Sequence, residues 1–135
     1  MEIVANDGLR RGLVAIFGCL ILIGCAAPRP SAASLHVSLE DVRVTARGAD
    51  TPGAFCADFT LDAAQAREFL SAARILNERE LHDNFDYLPC YVQGTGRRDG
   101  VPVLWEIRAG GTATVRAEGE AAVLLGCKEC AQKFR

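Results

Sequence analysis

The residues most able to do chemistry in this chain are its cysteines, and two of them form a C-x-x-C near the end, Cys127 and Cys130 in "LLGCKEC". That spacing suits half of a tetrahedral zinc site, a thiol redox couple or a short disulfide. A zinc ribbon shows two such pairs, and the sequence has one. Thiol oxidoreductases open a helix with the motif after a βαβ strand, so that the helix dipole acidifies the thiol. Here the motif follows a strand pattern with only five residues after it, and no such helix is expected. Lys128 and Lys133 would depress a thiol pKa only slightly.

The second cluster is "ELHDNFDYLPCY", where His82, Asp86 and Cys90 crowd together. On a helix His82 and Asp86 would offer two metal ligands, and His82 beside Cys90 would suggest an activated thiol. Asn84 and Pro89 instead predict a polar loop running into a strand, plugged by Phe85, Tyr87 and Tyr91. His36 reads as an outward strand residue. No G-x-S-x-G, H-E-x-x-H or phosphate-loop pattern occurs, and "GTGRRDG" is a hairpin turn. No catalytic, cofactor-binding or metal-binding residue is expected, and the chain is not expected to be an enzyme.

Compartment decides what the cysteines do, and the N-terminus speaks to it. Arg10 and Arg11 precede the apolar run "GLVAIFGCLILIG", which ends at Cys25 and gives way to "AAPRPSAAS". A basic region followed by an apolar core too short for an ordinary spanning helix is the layout of a secretory signal. Leu22-Ile23-Gly24-Cys25 resembles the lipobox of bacterial lipoproteins. The resemblance implies removal of residues 1–24, a thioether-linked diacylglycerol on Cys25 and an acylated new amino terminus. Two or three acyl chains at about 0.8 kcal/mol per buried methylene hold a protein on a membrane where one would not. Ala26, in place of Asp, implies the outer membrane in enteric-type sorting. The competing readings are an anchor helix or a conventional cleavage nearby. Cys19 has no matching box before it and reads as an apolar residue of the run.

The expected organisation is a signal peptide over 1–24, a lipidated Cys25 with a flexible tether over 25–34, and one small domain over 35–135. Removing 24 of 135 residues leaves 111, enough for one core. Formal charge is −2 with both signs interspersed. A nucleic-acid binder would show a basic stripe, and none is present.

Within the domain, "SLHVSLEDVRVTARG" alternates as a half-buried or bent strand, and "AFCADFT" reads as another short strand. "LDAAQAREFLSAARIL" places Ala66, Phe69, Leu70 and Ala73 on one helical side, with Asp62 and Gln65 forming a capping box. After the joint "NERELHDNFD" the chain reads as hairpins turning at "GRRDG", "AGG" and "EGE". Three-residue loops at Ala109–Gly111 and Glu118–Glu120 put Trp105 opposite Val115, Ile107 opposite Ala113, and those two opposite Val123 and Leu125. Two-residue loops would waste the apolar faces. The fold class is therefore α+β, one helix packed on a four- to five-strand antiparallel meander, resembling a cystatin-like roll.

With Cys25 lipidated and Cys19 removed, four cysteines remain in the mature chain: Cys56, Cys90, Cys127 and Cys130. An even count in an oxidising compartment points to two disulfides. Cys90 and Cys127 would stand three strands apart, roughly 14 Å, beyond the roughly 7 Å reach of a bridge. If the strand before the helix flanks the first meander strand, Cys56 meets Cys90 and Cys127 closes on Cys130. If it flanks the last, Cys56 meets Cys127.

"YVQGTG…WEIRAGGTATV…LLGCKEC" resembles a cassette of small exported bacterial proteins without an assigned activity, and carries no catalytic role to transfer. Membrane-bound lysozyme inhibitors are also small disulfide-bearing lipoproteins, but their S-G-x-x-Y loop is absent and their all-β fold conflicts with the helix after Asp62. The expected function is a non-catalytic outer-membrane lipoprotein, facing the periplasm and acting on an envelope protein by contact. The alternatives are an inhibitor or immunity factor against an envelope toxin or hydrolase, and a thiol redox protein. The polar sheet face around Glu106, Arg108 and Arg116 and the "HDNFDY" loop are the candidate contact surfaces, and each reads first as an ordinary solvated face.

Overall fold

The computed structural model describes residues 35–134. The expected signal peptide, lipidation site at Cys25 and tether lie outside the described residues. The domain is α+β, with a six-stranded, open, antiparallel sheet in place of the four or five strands expected.

In chain order the elements are β1 (Glu40–Ala49), α1 (Ala63–Ala72), β2 (Arg74–Leu76), α2 (Glu78–Asn84), β3 (Cys90–Arg98), β4 (Val101–Arg108), β5 (Thr112–Ala117), β6 (Val123–Gly126) and α3 (Lys128–Lys133). The strands lie in the order β1-β3-β4-β5-β6-β2. The four meander strands are central, with β1 and β2 added at the two edges.

The meander has the register that its apolar faces demand: Trp105 pairs with Val115, Ile107 with Ala113, Val115 with Val123 and Ala113 with Leu125. Gly111 supplies the positive φ of the three-residue β4–β5 loop at 83°, and Gly119, at 74°, lies in the β5–β6 connection, which spans the five residues 118–122 where three were expected, with the register unchanged. Asp99 and Gly100, both with positive φ, make the tighter β3–β4 turn.

One sheet face is thereby apolar, and α1 covers it with Ala66, Phe69 and Leu70. Asp62 accepts the Gln65 amide while the Gln65 side chain accepts the Asp62 amide, closing the capping box. Trp105 sits at the centre of this core, and its Nε1–H donates to the Thr95 carbonyl at 2.8 Å, so that its one polar atom is satisfied.

The structure corrects several expectations. "AFCADFT" is irregular backbone held by turns, not a strand. The alternating stretch from Leu35 divides in two. The Leu35 carbonyl accepts from Ile75 at the β2 edge, Val37 and Leu39 are buried, and β1 begins at Glu40 on the opposite edge. β1 carries two irregularities in its pairing with β3, and Asp41 takes a φ of 51° there. The first helix stops at Ala72 because Arg74-Ile75-Leu76 finds a sheet partner in β6.

Inside the polar joint lies α2, opened by a second capping box in which Asn77 and Glu80 exchange bonds. It packs on the sheet face opposite α1. A Cβ at Gly126 would stand 2.5 Å from the Phe85 ring and 2.6 Å from Leu76, so only glycine lets this cover approach.

Candidate functional site

Two loops meet at the end of the sheet where β1 finishes and β3 begins. Ala49 pairs with Cys90, and Cys90 is disulfide-bonded to Cys56 with a Cα separation of 5.3 Å. The strand that flanks the first meander strand is β1, and Cys56 reaches Cys90 from the irregular loop after it, so the pairing expected for that flank is present although "AFCADFT" is not itself a strand. The Asp50 amide donates to the Pro89 carbonyl at 3.1 Å, which ties the loop after β1 to the loop before β3 a second time.

Arg108, at the end of β4, makes the third tie. Its guanidinium donates to Asp50 at 2.7 Å and to the Leu88 carbonyl at 3.3 Å, and pairs with Glu106 at 2.7 Å. It lies 4.7 Å from the centre of the Tyr87 ring and 5.6 Å from that of Tyr91. The Tyr87 hydroxyl donates to the same Asp50 carboxylate.

The charges follow from this geometry. The Arg108 hydrogen bond, then that of Tyr87, holds the Asp50 carboxyl below the usual aspartate value. Donation to Asp50 and partial burial push the Tyr87 phenol up. Burial opposes the Arg108 charge, but Asp50 and Glu106 outweigh it and the pKa rises. Arg108 is thus a bracket for the two loops and is not free to act as a contact residue of the sheet face.

The bracketed loops hold out large apolar side chains. Phe55 is fully exposed, Tyr87 is 71% exposed and Leu88 42%. His82 stands in the last turn of α2 with Asp86 beyond the helix end, and Cys90 is held in its bridge. The three do not form a constellation. Among the described residues no cluster of three His, Cys, Asp or Glu could hold a metal ion.

At the opposite edge, Cys127 and Cys130 are joined with a Cα separation of 5.2 Å. Against expectation the motif does open a helix: Cys127 is the N-cap of α3, and its Sγ accepts the Cys130 amide at 3.1 Å. Six residues suffice for one turn and a half, and the sequence signal for it was an apolar residue, Phe134, placed to dock. Phe134 is buried with its ring 6.3 Å from Phe69, and Lys133 pairs with Glu68 on α1. Both cysteines are consequently buried.

The outer sheet face beyond α2 is an open groove of about 620 Å³ that includes Thr95, Pro102, Leu104, Arg116, Glu118 and Glu120. Of the contact residues expected on this face, Arg116 lines this groove and shares with Glu106 a second one of about 320 Å³, while Arg108, paired with Glu106, belongs to the bracket. Neither a family model, a curated protein nor a solved structure matches this chain.

Proposed function

We propose that the chain is an exported, non-catalytic protein-binding factor of the cell envelope, of the inhibitor or immunity type that neutralises a toxin or hydrolase. The Cys56–Cys90 bridge carries this reading, because with Arg108 it fixes two loops in one arrangement before any partner arrives. Loops ordered in advance lose less entropy on association. Disulfides of this kind also persist in oxidising compartments, in keeping with the export-type N-terminus. The lipobox-like Leu22-Ile23-Gly24-Cys25 supports a lipid anchor at the outer membrane, facing the periplasm.

Cross-linking in intact cells, followed by mass spectrometry, tests the reading. A single stoichiometric envelope protein whose toxic or hydrolytic activity the purified domain suppresses is the expected result. A partner whose activity is unchanged by the domain would make it an assembly factor, and no partner at all would overturn contact as its mode of action. Labelled fatty acid incorporated by the wild type and lost in Cys25→Ser checks the anchor.

A thiol redox role has one observation in its favour, the helix-opening position of Cys127. The burial of both cysteines opposes thiol exchange with another protein. Catalysed reduction of a protein disulfide, lost in Cys127→Ser, would establish it.

A further inference from the structure

Resting on the protein-contact reading, we infer that the bracketed loop pair is the docking surface, and that its occupant is a protein presenting an apolar cleft bordered by lysine or arginine. Three observations carry this. Phe55 is one residue from Cys56 and fully exposed, so it stands proud of the domain and fits a concavity. Tyr87 and Leu88 are exposed on the loop bonded to it. Exposed aromatic residues on an immobilised backbone are what interface hot spots are made of.

The third observation is the charge around these anchors. Residues 50–62 and 83–89 contain Asp50, Asp58, Asp62, Asp83 and Asp86 and not one lysine or arginine. Asp50 is taken by Arg108, Asp62 by its capping box and Asp83 by Arg79. Asp58 and Asp86 remain, three residues after Phe55 and immediately before Tyr87, both exposed. An apolar centre fringed by unengaged carboxylates is complementary to a cleft fringed by cations.

The competing surface is the outer-face groove with Leu104, which is 56% exposed. Its rim mixes Arg116 with Glu118 and Glu120 and selects no partner charge.

The test replaces Phe55, and separately Val101 at the other end of the sheet, with a photocross-linking p-benzoylphenylalanine in the full chain within its native cells. The protein captured at position 55 is then purified and titrated against variants of the domain. An adduct from position 55 and not 101 is expected. Affinity should fall at least thirtyfold in Phe55→Ala. The double variant Asp58→Lys, Asp86→Lys should lose it chiefly through slower association, and the wild-type rate should fall with added salt. Leu104→Asp should bind normally. Phe55 buries nothing, so unchanged urea midpoints will separate lost contact from lost fold.

Binding abolished by Leu104→Asp and untouched in Phe55→Ala would overturn this surface and leave the protein-contact reading standing. An adduct with a second copy of the chain, or a partner whose binding is indifferent to salt and to the double variant, would overturn the cationic partner. No adduct at either position, with no partner from general cross-linking, would overturn both.

Discussion

The indole of Trp105 occupies the space in which a side chain at Gly94 would stand: a Cβ there would lie 2.4 Å from the indole Cζ2, and 1.8 Å from the carbonyl oxygen of Arg43. The largest core residue and its cross-strand neighbour therefore share one volume, with the β1 backbone against Gly94 on its other side.

Gly94→Ala must accordingly displace either the tryptophan or the β1 backbone. A destabilisation of about 3 kcal/mol or more is expected. Urea unfolding will give its size, and a red shift of tryptophan emission in the folded state will show that the indole has moved.

Arg108→Ala removes two carboxylate pairings, one carbonyl bond and two ring contacts together. A loss of about 2–3 kcal/mol is expected, with Glu106 left unpaired. Arg108→Lys should recover only part of it, since an ammonium cannot bridge Asp50 and Glu106 as a planar fork does. Amide exchange should quicken over residues 85–88 in both variants.

The Asp50 carboxyl titrates below its ordinary value of 3.8 in the folded chain. Its contribution is therefore complete above that value and is lost as pH falls from it through the folded pKa. The difference in urea midpoint between wild type and Asp50→Asn should be constant near neutrality and should close below about pH 4. Glu80, lowered by the Asn77 amide and then by Arg74, titrates the same way in both chains and cancels.

The two disulfides should differ in their stabilisation. Cys56 and Cys90 are 34 residues apart and Cys127 and Cys130 are 3 apart. Loop-closure entropy assigns about 4 kcal/mol to the first and about 2 to the second. Equilibrium unfolding of Cys56→Ser with Cys90→Ser, against Cys127→Ser with Cys130→Ser, checks the order. Equal losses would mean that strain or residual structure outweighs chain entropy.

Where both faces of an element contribute to a pattern, the sequence was readable. The alternation of Val101, Val103, Trp105 and Ile107 against Ala113, Val115 and Ala117 admits one register, and the strands adopt it. Asp62 and Gln65 mark the helix start for the same local reason. Asn77 and Glu80 obey that rule too, but their helix buries none of its own residues, so no apolar stripe accompanies the cap.

The three residues of β2 look like the end of α1 because their strand identity comes from β6, far along the chain. "AFCADFT" has strand-like residues but no neighbour to pair with, and its position is set by a disulfide. Of the candidate site, the cysteines were legible. Arg108 read as a surface charge, because nothing local reveals that Asp50 and Tyr87 converge on it.

The edge position of β2 also governs the order of events when the chain folds. Residues 74–76 pair with partners roughly fifty residues later, and β1 waits nearly as long for β3. A sheet closed by such distant pairings forms on the order of milliseconds to seconds, after the fast local turns. The β2 edge cannot be completed until the chain through Gly126 is present, whereas the β1 edge needs only β3, so a chain threaded out N-terminus first closes its two edges at different points. Cys56 and Cys90 would both emerge as thiols before β6 did, which makes the first covalent link of the domain independent of its last strand.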